Sequence, residues 1–211
     1  SKPKLMKSKI LFVFLLVVTS FLPQLKADSP LTSTNFCTAY QHEGVVVYAS
    51  KTKGILTPEI IQYLMAKKKP IDVKMAVINQ LGWNMDGKNN ADIFLAYLLE
   101  KKKYKDLEDF TENGKDYELL CFAYLKALDN YFEVGEAFYF AQKALYKNQK
   151  SYTFNIIYGL INAQREFDND WCEVYQTTDR VRKDSTLNLD MQDDAKKIIF
   201  EYMDMYAEYC P

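Results

Sequence analysis

The phrase DGKNNADIFLAYL, beginning at Asp86, returns at Asn113 as NGKDYELLCFAYL. Each copy opens on turn chemistry. Asp-Gly and Asn-Gly favour tight reversals because glycine tolerates positive φ. Asn89 or Asn90 in the first copy, and Asp116 in the second, are natural helix N-caps. The helices that follow run in register, Ala96-Tyr97-Leu98 against Ala123-Tyr124-Leu125. A fainter copy, Asn148-Gln149-Lys150-Ser151, leads into YTFNIIYGLINA. The offsets are 27 and 35 residues. A chain that repeats a turn-into-helix phrase at such spacing predicts stacked antiparallel helical hairpins, because no single hairpin can bury its apolar face alone.

The rest of the chain extends the pattern. Thr57 is placed as an N-cap, Pro58 at the first helical position and Glu59 near the positive helix end. Pro70 ends that helix, and Val73, Val77, Ile78 and Leu81 line one face of the next, which Gly82 closes. Helical spacing recurs in Val134, Phe138, Ala141 and Leu145. It recurs again in Trp171, Val174, Tyr175, Thr178 and Val181, and from Ala195 to Tyr209. No long alternating run competes after residue 57. The expected fold is all-α, about eight helices stacked as hairpins in an α-solenoid manner. The expected organisation is a signal peptide over 1–27, a leader and first element over 28–56, and a helical repeat domain over 57–211. DSPLTSTN reads as a polar, mobile leader, and VVVYA at 45–49 fits either a short strand or a helix.

The segment EAFYFAQKALYKN, from Glu136, resembles the second helix of a tetratricopeptide repeat. Ala137 and Ala144 fall on that family's small-residue positions, which carry Trp171 and Thr178 thirty-four residues later; Gly159 sits at the small position of the intervening first helix. The likeness covers residues 116–182. It implies a concave groove for peptides or protein segments.

The N-terminus places Lys7 and Lys9 before an unbroken apolar run from Ile10 to Val18, then Pro23 and Leu25-Lys26-Ala27, which reads as a secretory signal peptide starting at Met6. The run is short for a membrane span, so a membrane is a partner only if this segment is retained as an anchor. Removing residues 1–27 takes five lysines and no acid from the 27 Lys+Arg, leaving 22 against 28 Asp+Glu, a charge of −6. That balance excludes nucleic acid, whose phosphates need a basic face. With no Asn-x-Ser/Thr sequon after residue 27, the expected location is the bacterial periplasm or the extracellular space.

Four cysteines, Cys37, Cys121, Cys172 and Cys210, read first as two disulfides in an exported chain. Cys172 begins one predicted helix and Cys210 ends the last, so an antiparallel hairpin brings them together. Elimination then pairs Cys37 with Cys121, unless Cys121, on the apolar face of Tyr117, Tyr124 and Leu128, is a buried free thiol.

No catalytic or metal constellation emerges. An EF-hand register on Gly87 puts Gly82 and Ile93 where carboxylates are required. His42, the one histidine, has no second histidine four residues on and no Gly-x-Ser-x-Gly elbow to serve. The acidic pairs Glu108-Asp109, Asp168 with Asp170, and Asp193-Asp194 stand at helix starts or in connections, where dipole and capping explain them. No cofactor is expected. Tyrosine is abundant, 16 of 211 residues. Tyr97, Tyr124 and Tyr158 are the candidate residues of an aromatic-lined groove, against the alternative of core packing. The expected function is non-catalytic: a helical scaffold offering a groove to a peptide, a protein or a surface polymer. The alternative is a carrier of a small apolar ligand between helices.

Overall fold

The structure, a computed structural model, describes residues 28–101 and 103–211. The signal peptide read over 1–27 lies outside the described residues. Among the described residues there are ten α-helices and no strand. They are α1 (Gly44–Ser50), α2 (Pro58–Met65), α3 (Ile71–Leu81), α4 (Asn90–Glu100), α5 (Leu107–Asn113), α6 (Asp116–Asp129), α7 (Gly135–Lys147), α8 (Tyr152–Glu166), α9 (Trp171–Lys183) and α10 (Asp193–Met203). Short 3₁₀ turns at Phe36–Tyr40 and Asp204–Tyr209 flank this set. No helix among the described residues is long and apolar enough to cross a membrane.

Two helices exceed the expected eight. VVVYA lies within α1, where Val46 and Ala49 are the buried positions, a helical spacing rather than an alternating one. α5 buries only Phe110, too little apolar pattern to announce a helix, and it forms because Asp106 caps it by accepting from Asp109 N at 2.9 Å. Thr57 and Asp170 cap as expected, and Ser151, not read as a cap from the sequence, joins them. Thr57 accepts from Ile60 N, Ser151 from Phe154 N and Asp170 from Glu173 N.

The repeated phrase is less uniform in space than in sequence. Gly87 adopts φ +78°, but Gly114 does not. Gly114 is required for a different reason: a Cβ there would stand 2.5 Å from the Phe110 carbonyl oxygen. Of the expected caps, Asn89 holds the N-cap position of α4, though its side chain makes no capping bond. Lys115, not Asp116, is the N-cap of α6, whose first turn is closed by Glu118 accepting from Lys115 N at 3.4 Å. Asp116 instead accepts from Asn148 Nδ2 at 3.0 Å, linking the second and third copies.

α6 is the centre of the molecule. It packs most extensively on α7, and also meets α2, α3, α4 and α8. α7 packs on α8, and α8 on α9. The leader is not mobile but part of the core: Leu31, Phe36 and Tyr40 are buried, and so are Ser29, Thr32 and Thr34. Its hydroxyls are satisfied locally, Thr34 Oγ1 donating to Pro30 O at 2.7 Å and Ser29 Oγ pairing with Thr32 Oγ1 at 3.0 Å. One side chain of α3 anchors it. Asn79 Oδ1 accepts from Cys37 N at 2.9 Å, and its Nδ2 donates to Thr34 O at 3.1 Å and to the Tyr124 hydroxyl at 2.9 Å. Tyr40 extends the joint, donating to Asp72 at 2.9 Å and accepting from Gln192 N at 3.3 Å, where α10 begins.

Cys172 and Cys210 are bonded, their Cα atoms 4.7 Å apart. The pairing of Cys37 with Cys121 does not form: both are buried free thiols, held on different elements by the packing around α6.

Two predictions follow from this arrangement. Asn79→Ala strands the Cys37 amide and the Tyr124 hydroxyl in the core and lowers unfolding stability by about 2–4 kcal/mol, measured by chemical denaturation. Burial pushes the Cys37 thiol up to about 11 and the Cys121 thiol up to about 12. Because the thiolate is the reactive form, both resist alkylation at pH 8 in the native protein, and denaturation without reductant exposes just these two to labelling, read by mass spectrometry.

Candidate functional site

α8 is apolar on the side that meets the core, where Phe154, Ile157, Leu160 and Ile161 are buried. Its other side carries a polar and aromatic stripe, Asn155, Tyr158, Asn162 and Arg165, at helical spacing. Between this stripe, the end of α7 and the length of α9 lies a groove of about 350 Å³. Leu145, Val181 and Leu187 supply its apolar wall. Glu173, Arg180, Asp184 and Arg165 bring charge of both signs.

Local chemistry holds the groove in shape. Gly159 lets α8 approach α9: a Cβ at that position would stand 3.1 Å from Thr177 O. The segment after α9 straps the start of α8, with Asn188 N donating to Lys150 O at 2.7 Å and Tyr152 N to Asn188 O at 3.0 Å. Asp190 accepts from Thr153 N at 2.8 Å and from the Ser151 hydroxyl. This strap places Leu187 at the groove.

The floor holds the one marked atom. Asn162 is only 7% exposed. Its Nδ2 donates to Thr177 Oγ1 at 3.1 Å, while its Oδ1 is buried with no hydrogen-bond partner. An unpartnered buried acceptor costs on the order of 1–3 kcal/mol. Tyr158 is half-buried beside it, its ring 5.1 Å from that of Phe138. Burial raises the Tyr158 phenol above its ordinary pKa, against the opposing pull of Arg165 and Arg180. Arg165 lies with its guanidinium 3.8 Å above the Phe138 ring and pairs with Glu166 at 2.9 Å, so it is held rather than free to swing. Arg180 bonds both carboxylate oxygens of Glu173.

The three tyrosines singled out from sequence do not share a face. Tyr158 lines the groove. Tyr124 has no exposed surface; its ring stacks on Phe36 and its hydroxyl is bonded to Asn79, so it belongs to the core. Tyr97 is half-buried on α4 beneath the Lys101 ammonium, 5.2 Å from its ring centre, and does not line the groove. The residues that sequence reasoning passed over are Asn155, Asn162, Thr177 and Arg180. The α8 stripe was the available signal, since Asn155, Asn162 and Arg165 recur on one side at helical spacing.

A second, wider depression of about 590 Å³ lies over the Asp86–Asn89 turn and the end of α6. Its Lys88 ammonium donates to Leu81 O and Gly82 O at 2.6 and 2.9 Å, closing the end of α3. Its Asp129 accepts from Ala91 N at 2.7 Å, opening α4. These charges hold backbone, so the smaller groove is the better candidate. His42 stands apart from both, its side chain 59% exposed beside Gln192.

Comparison of the chain with protein-family models, with curated proteins and with solved structures finds no match in any of the three.

One consequence of the α8–α9 contact is direct. Gly159→Ala forces the two helices apart or strains them and destabilises the protein by about 1–3 kcal/mol. The same change at the exposed start of α7, Gly135→Ala, meets nothing within 4 Å and is neutral or stabilising, the two being compared by thermal melting.

Proposed function

We propose that this is an exported, non-catalytic helical binding protein, periplasmic or secreted, that receives an elongated partner in the groove between α7, α8 and α9. The partner is a peptide, a protein segment or a surface polymer. The observation that carries the reading is that Asn162, a residue lining a groove that also presents Tyr158, keeps a buried oxygen without a partner. Ligand sites combine apolar wall with a few placed polar groups, and this lining has that make-up.

A tetratricopeptide-like stacking of α6 to α9 belongs to the same proposal. It is supported by the packing of each of these helices on the next and by the small residues at their contacts, Ala137, Ala144 and Gly159, all buried. The concave face such a stack would offer on α6 is filled by α2, α3 and α4, which moves the proposed binding surface to the far side of α8. The small-ligand carrier gains no comparable support, since charged or amide side chains line both depressions.

The test is affinity capture from an envelope extract of the source organism, using wild-type protein beside Tyr158→Ala and Arg165→Ala. A component retained by wild type and lost from both variants, at unchanged melting temperature, is the expected result. Retention by both variants overturns the assignment of the groove.

A further inference from the structure

The groove's hydrogen-bonding inventory is lopsided. Asn162 Nδ2 is engaged by Thr177, and Asn155 Nδ2 donates to the Gln149 and Ser151 carbonyls at 2.9 and 2.8 Å. Both amides therefore turn nitrogen to the protein and keep oxygen for whatever binds. An extended peptide is best held by an amide that donates and accepts at once, and neither asparagine is free to do so. What the floor requires is a ligand N–H or O–H donor.

Charge narrows the class further. Arg165 and Arg180 stand against Glu173 and Asp184, so the lining is balanced, and Arg180 is already bonded to both oxygens of Glu173. A strongly charged ligand gains little here; a neutral one rich in groups that both donate and accept fits both members of the Arg180–Glu173 pair. Beside the floor lie an aromatic ring, Tyr158, and an aliphatic wall of Leu145, Val181 and Leu187. The volume, about 350 Å³, is at the small end of ligand sites, which run to roughly 1,000 Å³.

Resting on the reading of this groove as the binding site, we propose that it takes an N-acetylated hexosamine glycan, the acetamido N–H donating to Asn162 Oδ1. The acetamido group joins an N–H donor to an apolar methyl, which matches an acceptor set beside Leu145, Val181 and Leu187. The apolar C–H face of the pyranose lies on Tyr158, and the ring hydroxyls exchange hydrogen bonds with Glu173 and Arg180. The Asn162 oxygen is screened from solvent, so rim side chains change rotamer as the ligand enters, a common adjustment at interfaces.

Two sources carry this chemistry: chitin-type chains of N-acetylglucosamine alone, and peptidoglycan-type chains that alternate it with N-acetylmuramic acid. The experiment is titration of the purified protein, followed by calorimetry and by amide chemical shifts. The probes are tetra-N-acetylchitotetraose, the N-acetylglucosaminyl–N-acetylmuramic acid disaccharide, and maltotetraose, which has no acetamido group. Binding of either acetylated probe with shifts on α8 and α9, and none of maltotetraose, is the expected result; whichever acetylated probe binds more tightly identifies the source. Asn162→Leu weakens that binding by about tenfold or more, the loss of one buried hydrogen bond, while its melting temperature shifts little, because removal of the unpartnered acceptor offsets loss of the bond to Thr177. Tyr158→Leu is the second variant, lowering affinity without touching the floor. Equal binding of maltotetraose overturns the acetamido assignment and leaves the groove standing. No shift with any glycan, or a peptide captured in the groove, overturns the glycan inference, and affinity capture with Tyr158→Ala then decides the groove by itself.

Discussion

The fold depends on one carboxamide. Asn79 reaches from α3 into the leader and into α6 together, and its three bonds satisfy a backbone amide, a backbone carbonyl and a phenol that are all withdrawn from water. In a low-dielectric interior such bonds are strong when complete and costly when one is missing. A leucine in its place would pack against α6, but would leave the Cys37 N–H and the Tyr124 hydroxyl unanswered. The chain ends are joined through the same region, since Tyr40 bonds α3 at Asp72 and the start of α10 at Gln192, and Leu31 N donates to Gln164 of α8 at 3.3 Å. The first and last elements are thereby fixed on a centre that the repeated hairpins alone would leave open.

A second buried knot works beside it. Glu118 has no exposed surface, and its carboxylate accepts from the Lys103 ammonium and, at 2.5 Å, from the Tyr104 hydroxyl. Lys74, also buried, lies with its ammonium 3.9 Å above the Tyr117 ring, and desolvation lowers its pKa. Burying these charges contributes little net stability, because desolvation offsets much of the attraction. Their effect is positional. The Tyr104–Glu118 bond ties the connection after α4 to the first turn of α6, so the second copy of the repeated phrase can start its helix in only one register.

Legibility in the sequence follows from how local each determinant is. Caps are local, and Thr57 and Asp170 mark their helices correctly. Helical periodicity is local as well, so the all-α class is readable along the chain. Cover is not local. Tyr97 and Tyr124 occupy matching places in a repeated phrase, yet α3 and the leader close over Tyr124 while Tyr97 stays half-buried on α4. The leader itself reads as polar because Ser29, Thr32 and Thr34 are counted as surface residues, whereas their hydroxyls are closed by turns within the same few residues. Cysteine parity misleads for a related reason. It counts thiols without their surroundings, and an apolar environment stabilises Cys37 and Cys121 as thiols without bringing them together.

The same distinction explains where an open site arises. α6 is enclosed by α2, α3, α4, α7 and α8, and where its end reaches the wider depression Asp129 is spent on the Ala91 amide. α8 contacts α6 and α3 on one side and is bounded by α7 and α9 on the other. Gly159 brings α9 close enough for Thr177 to engage the Asn162 nitrogen, and that engagement turns the amide so that its oxygen is left over. The unpartnered acceptor is therefore a product of the helix contact. A residue without polar atoms would remove the unanswered acceptor and its desolvation cost, but would also take the Asn162 nitrogen away from the buried Thr177 hydroxyl. An asparagine at this position is explained by packing only in part. The oxygen left over is the atom that the proposed binding role of the groove would employ.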